Sequence, residues 1–129
     1  MAPHSHRMRS SLGRVRGLGS AKDGVQHWWL QRLSAVALVP LALWFAAGIV
    51  CHAGADHGAM TAWIAEPFTA IVMILLIVAT FWHAALGLQV VLEDYVTSEG
   101  LRVAAIALMK LLSAALAVAS LFAVLKIAL

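Results

Sequence analysis

The sequence predicts an all-α integral membrane protein with three transmembrane helices. Hydrophobic residues make up 63% of its 129 residues and charged residues only 12%, whereas a soluble domain has about 45–50% apolar and about 25% charged residues. The apolar residues are gathered in three runs, each long enough to cross a hydrocarbon layer of about 30 Å. The length left over is too small for a separate folded domain outside the membrane, and no internal repeat is visible.

The placement of basic residues predicts how the chain is oriented in the membrane. Five of the nine lysines and arginines precede the first apolar run, and the loop over residues 52–67 contains none. Because basic residues favour the cytoplasmic side, we expect a cytoplasmic N-terminus and a C-terminus in the periplasm or outside. Residues 1–24 are expected to be a flexible, basic cytoplasmic tail, with a cleaved signal peptide as the alternative. This asymmetry indicates contact with lipid headgroups rather than nucleic acid.

The membrane domain predicted over residues 25–129 has spans at about 30–51, 68–91 and 101–125. Trp28 and Trp29 suit the headgroup level at the entry of the first span. In the loop that follows, Trp63 indicates a short interfacial helix. Pro67 suits the first turn of the next helix, where a backbone N–H has no partner anyway. The second loop, 92–100, is short, so the second and third spans should be antiparallel neighbours.

His83 is the first functional candidate, because it is a histidine inside an uncharged apolar run. Charged side chains at membrane depth cost about 2.5–3.5 kcal/mol on insertion, so ionisable residues there usually face the interior of a bundle. A neutral imidazole is the usual ligand of a haem iron, and Gly87, one turn later, leaves room for a flat ring beside the helix. Alternatively, His83 hydrogen-bonds a neighbouring helix and Gly87 allows close helix packing. The histidine alone favours neither interpretation.

Four polar residues near the predicted cytoplasmic ends of the spans are further candidates. Arg32 either extends to lipid phosphates or pairs with a buried anion such as a haem propionate. Ser34 either donates a hydrogen bond to the same ligand or bonds back to its own helix. Asp94 and Tyr95 end the second span, where a tyrosine hydroxyl can donate a hydrogen bond while its ring stays against lipid. Together with a buried histidine on the same helix, they indicate a ligand pocket.

The order of these residues is similar to that of a known family. An arginine opens the first span, the entry segment reads GSAKDGVQHWWLQRLSAVAL, and residues 83–95 carry H-x3-G-x6-D-Y. Together these features resemble the small hydrophobic membrane anchor subunit of succinate dehydrogenase, respiratory complex II, from about Gly17 to the C-terminus. The S-x2-H-R and H-x3-G-x-R-H patterns of the larger cytochrome b anchor subunit are missing. The chain therefore resembles the smaller of the two anchors.

The resemblance implies a subunit without catalytic residues of its own, in the bacterial or mitochondrial inner membrane. Its implied partners are a flavoprotein that oxidises succinate, an iron–sulfur subunit and the cytochrome b anchor subunit. His83 matches the axial ligand of a haem b that the two anchors share, and Arg32 matches an arginine near the haem propionates. Tyr95 matches the hydrogen-bond donor to ubiquinone, and Asp94 matches the adjacent acid. Since only one histidine lies within a span, a second axial ligand has to come from another chain.

Three other interpretations remain open at this point. A structural or assembly protein without a cofactor would use His83 and Gly87 only for packing. A small proton-conducting subunit would use His83 and Asp94 as a relay. A fumarate reductase anchor would differ from the leading interpretation in the direction of electron flow and in the type of quinone.

Overall fold

The computed structural model describes residues 22–129 and, before them, positions 12 and 15. Residues 22–129 contain no strand and form four helices: α1 (Lys22–Cys51), α2 (His57–Ala65), α3 (Pro67–Tyr95) and α4 (Glu99–Ala128). Helices α1, α3 and α4 are long and apolar enough to cross a membrane. The predicted all-helical fold with three transmembrane helices is therefore confirmed. The orientation of the termini stays a prediction, and so does the tail over residues 1–24, most of which lies outside the described residues.

The long helices are arranged as an open layer rather than a closed bundle. Helix α3 packs against α1 on one side and α4 on the other, while within residues 22–129 α1 and α4 do not pack against each other. The short helix α2 lies against α3 and α4. Among the described residues only Thr69, Ala70 and Val124 are buried. Most apolar side chains of the spans therefore face outward, where lipid or other chains must cover them.

The turn between the first two long helices is built from residues with local roles. Gly54 has φ +88°, a backbone conformation that favours glycine. Asp56 caps α2, because its Oδ1 accepts a hydrogen bond of 2.8 Å from the backbone N–H of Ala59. Pro67 occupies the first turn of α3, as the sequence predicts. These features place α2 where the sequence indicates a short helix around Trp63.

The second connection is shorter than the predicted loop over residues 92–100. Helix α3 continues to Tyr95 and α4 begins at Glu99, so only residues 96–98 join them. The side-chain amide of Gln89 donates a hydrogen bond of 2.8 Å to Glu93 Oε1, a pair four residues apart that supports the last turns of the helix. The helix therefore continues about one turn beyond residue 91, the predicted end of the second span. Asp94 and Tyr95 therefore lie in the last turn of α3, and the helix determines the direction of their Cα–Cβ bonds.

The C-terminal end of α1 packs closely against the Trp63 ring of α2. His52 stacks on this ring, with ring centres 4.6 Å apart, and Trp44 lies 5.9 Å from it. A Cβ atom added at Gly48 would lie 2.5 Å and 2.9 Å from two Trp63 ring carbons. Glycine at position 48 therefore allows α2 to close over the end of α1.

Gly48→Ala is expected to destabilise this end of the molecule, because the Trp63 ring would have to move and its neighbours with it. Overpacking of this kind costs about 1–3 kcal/mol. The measurement is the thermal unfolding midpoint of the complex purified in mild detergent. Gly100→Ala is the matched control, since a Cβ there meets no atom within 4 Å. Equal midpoints for the two variants would contradict the prediction.

Candidate functional site

The candidate site is the groove between α1 and α3, which we call the α1/α3 groove. It has a volume of about 650 Å³, within the range of about 300–1,000 Å³ that is typical of ligand pockets. Residues of two facing helices line it: Gly24, His27, Trp28, Gln31, Arg32 and Ala35 from α1, and His83, Gly87 and Val90 from α3. The spacing of three or four residues puts each set on one face of its helix.

His83 is held from both sides of its ring by residues of α1. The Oγ atom of Ser34 lies 3.0 Å from His83 Nδ1. On the other side, the Nε2 atom of Gln31 lies 3.4 Å from His83 Nε2, a long and weak contact. Gln31 lines the α1/α3 groove and Ser34 does not. Of the two ring nitrogens, Nε2 is therefore the one on the groove side.

Two buried polar atoms of this groove have no hydrogen-bond partner within residues 22–129. They are Nε2 of His27 and Oε1 of Gln31. Buried polar groups are normally paired, and an unpaired one costs about 1–3 kcal/mol. Two residues that line this groove therefore carry hydrogen-bonding capacity that residues 22–129 do not use. The sequence analysis missed both residues, although their spacing of four, which puts them on one face of α1, is a usable signal.

Arg32 lies in the same groove as His83, as the haem interpretation requires. Its guanidinium carbon is 4.6 Å from the centre of the Trp28 ring, close enough for a cation–π interaction. Arg32 itself is exposed. This contact orients the guanidinium at the surface of the groove and leaves its N–H groups available to an anion, which suits bidentate pairing with a carboxylate.

Asp94 and Tyr95 lie elsewhere, at the end of α3. Both are exposed, Tyr95 with 82% of its surface accessible. Neither lines the α1/α3 groove. Tyr95 is twelve residues after His83, or about 18 Å further along the helix axis. The structure therefore brings His83 and Arg32 together, but it does not bring Asp94 and Tyr95 to them.

Comparison with known proteins identifies the family. The family model for the succinate dehydrogenase/fumarate reductase transmembrane subunit matches residues 6–125. The chain belongs to this family. A hydrophobic membrane anchor subunit of succinate dehydrogenase from Rickettsia bellii is 34% identical over 116 residues, which are 90% of this chain and 93% of the relative. The anchor subunit of the same name from Paracoccus denitrificans is 32% identical over 81 residues, 63% of each chain.

A more distant relative is the succinate dehydrogenase membrane anchor subunit of Reclinomonas americana. It is 28% identical over 95 residues, 71% of this chain and 79% of the relative. The resemblance to the small succinate dehydrogenase anchor that the sequence predicts is thereby confirmed. As a member of the transmembrane subunit family with three apolar helices, the chain is a multi-pass membrane protein. Its partners are other subunits of the complex and the membrane itself.

The α1/α3 groove of this succinate dehydrogenase anchor fits a haem better than a bare metal ion. Within residues 22–129 no group of three His, Cys, Asp or Glu side chains comes together. A haem brings its own in-plane ligands and takes from the protein only axial ones. A Cβ at Gly87 would lie 3.3 Å from Gln31 Nε2 and would narrow the groove. An imidazole nitrogen can bind the iron of a haem and a nearby guanidinium can pair with its carboxylates. The glycine beside the imidazole leaves room for the flat ring.

Proposed function

We propose that this succinate dehydrogenase anchor supplies one axial ligand, His83, to a haem b shared with a second anchor, and part of the ubiquinone-reduction site. One observation carries the proposal: His83 Nε2 is on the groove side of α3, in the same groove as the exposed Arg32. Haem b, when bound, supplies one-electron redox chemistry inside the membrane. The remaining roles belong to residues of this chain and of its partners.

Different residues of the groove hold different parts of the cofactor. His83 offers a neutral imidazole nitrogen to iron, and Arg32 pairs with a propionate carboxylate. His27 has an unpartnered Nε2 in the same groove, which suits a second hydrogen bond to a carboxylate. Gly87 leaves the surface of α3 flat one turn after His83. Together these groups favour a flat, anionic, iron-containing ligand over a purely apolar one.

The open layer supports a shared site rather than one contained in this chain. Within residues 22–129 only α1 and α3 line the groove, and its remaining side is open. Helix α4 does not close it, because α1 and α4 do not pack against each other in this part of the chain. A second three-span anchor, the cytochrome b subunit, would cover the groove and hold the haem from its other side. The flavoprotein and the iron–sulfur subunit dock on the cytoplasmic side and deliver electrons from succinate.

Tyr95 and Asp94 act at the cytoplasmic end of α3, where ubiquinone enters between subunits. The tyrosine hydroxyl donates a hydrogen bond to a quinone carbonyl and stabilises the negative charge that develops on its oxygen. Asp94, with interfacial water, helps to deliver protons. Their exposure in this chain supports a pocket that partner subunits complete.

The alternatives explain less of the geometry. Packing alone accounts for the contacts of His83 with Ser34 and Gln31, but it leaves the unpartnered atoms of His27 and Gln31 without an occupant. A direct proton relay from His83 to Asp94 would have to cover eleven residues, about 17 Å along α3. The names of the relatives favour succinate dehydrogenase over fumarate reductase.

The test is to purify the complex in mild detergent from its native membrane through an affinity tag on this chain. A reduced-minus-oxidised optical spectrum and the identities of the copurifying chains are then recorded. We expect a b-type haem band, together with a flavoprotein, an iron–sulfur subunit and a second anchor. A preparation that holds the three partners but no haem would overturn the haem assignment. A preparation without either would support the structural interpretation.

A further inference from the structure

The hydroxyl of Ser34 makes two contacts that together fix its hydrogen. Its Oγ lies 3.0 Å from the backbone carbonyl oxygen of Gln31 and 3.0 Å from His83 Nδ1. A carbonyl oxygen only accepts, and a hydroxyl has one hydrogen to donate. Only one assignment satisfies both contacts: Ser34 donates to the Gln31 carbonyl and accepts from an Nδ1–H of His83. In the neutral ring, Nε2 then carries the lone pair.

The contact on the other side of the ring is compatible with this assignment. The side-chain Nε2 of Gln31 is an amide nitrogen, which only donates, and it lies 3.4 Å from His83 Nε2. It can make a hydrogen bond there only if Nε2 has no hydrogen. The long distance makes this a weak contact, so an incoming ligand can displace it at little cost. The contacts of Ser34 therefore select one tautomer of His83, and the position of Gln31 agrees with it.

We propose that Ser34 is a positioning residue, which holds His83 as its Nδ1–H tautomer and turns the Nε2 lone pair toward the α1/α3 groove. The inference rests on the proposed function, in which His83 binds haem iron. An acceptor on the second ring nitrogen of a metal-binding histidine fixes its orientation and raises its basicity. Ser34 does not line the groove and contacts His83 Nδ1, so it acts through His83.

The test compares the midpoint potential of the haem in the purified complex of the wild type and Ser34→Ala. Without the acceptor on Nδ1–H, the imidazole donates less charge and ferric iron is stabilised less, so the potential rises. We expect the ferrous-to-ferric ratio at a fixed ambient potential to increase by about tenfold, which is about 59 mV for a one-electron couple. A change in the electron paramagnetic resonance spectrum of the ferric haem accompanies it.

Three further variants separate this role from packing. Ser34→Thr keeps the hydroxyl and should restore the wild-type potential. Ser34→Cys is close in size but a weak acceptor, so it should raise the potential even if Ser34→Ala fails to assemble. Ser120→Ala is the matched control, because Ser120 only bonds back to the Leu116 carbonyl, at 2.8 Å, on its own helix. Its potential should equal that of the wild type.

The outcomes distinguish this inference from the proposed function. A wild-type complex without haem, or haem that survives His83→Ala, would overturn both. Haem bound through His83 with the same potential in the wild type, Ser34→Ala and Ser34→Cys would overturn the role of Ser34 alone. A raised potential in Ser34→Thr as well would also overturn it, because that variant retains the acceptor.

Discussion

Replacing His83 with alanine is expected to remove most of the haem from the purified complex. In the proposed haem site the imidazole of His83 is the iron ligand, and alanine has no atom that could replace it. The haem-to-flavin ratio, measured from the optical spectrum and from acid-extracted flavin, should fall from the wild-type value to close to zero. Succinate oxidation with a soluble artificial acceptor should persist, because it does not pass through the membrane anchors.

Two other histidines serve as controls for this loss. His57 begins α2 on the other side of the predicted membrane and is exposed, so His57→Ala should retain haem. His27 lines the same groove as His83, and His27→Ala separates ligation from propionate binding. We expect His27→Ala to keep the haem, bound more weakly. Equal haem content in His83→Ala and the wild type would refute the ligand assignment, and complete loss in both groove variants would place His27 at the iron too.

The fold was predictable from sequence because the hydrocarbon interior of the membrane allows few backbone structures. Every backbone polar group in hydrocarbon has to be paired within the chain, so an apolar run of about twenty residues has to be a helix. The predicted spans at 30–51, 68–91 and 101–125 all lie inside the three long helices. The ends of the helices were less predictable, because a helix can continue beyond its apolar run. In α3 the hydrogen bond between Gln89 and Glu93 supports such a continuation.

The site was predictable only where one helix determines it. His83 and Gly87 share a face of α3 by helical spacing alone, so the sequence identified them together. The contacts of Ser34 and Gln31 with His83 join residues 49 and 52 positions apart. They depend on how α1 is rotated and shifted against α3, and no local pattern encodes this. His27 precedes the predicted first span, and its place in the groove likewise depends on how α1 lies against α3.

The same geometry explains why this chain reaches its function only in a complex. A layer of three spans can bury one face of α3 against each neighbour, but it leaves the outer faces of α1 and α4 uncovered. An open groove, lined on two sides and completed by another anchor, admits a large cofactor. Lipid and partner subunits must therefore cover most of the apolar surface of the described residues.

Removing one oxygen atom from Tyr95 is expected to lower ubiquinone reduction without affecting succinate oxidation. Tyr95 is the only tyrosine of the chain, and Tyr95→Phe keeps the ring at the end of α3 while it deletes the hydroxyl. One hydrogen bond to the developing charge on the quinone oxygen is worth about 1–1.5 kcal/mol, so kcat/KM for ubiquinone should fall by about tenfold. The side chain is 82% exposed in this chain, so its loss should cost little stability.

The decisive comparison for Tyr95→Phe is between two electron acceptors in one preparation. Reduction of a soluble artificial acceptor reports on succinate oxidation alone, and it should equal the wild-type rate. The haem content should also be unchanged, since Tyr95 lies about 18 Å from His83 along α3. If both activities fell together, the variant would have an assembly defect instead. If ubiquinone reduction were unaffected, the quinone would take its hydrogen bond from a partner subunit, and Tyr95 would serve only as an interfacial ring.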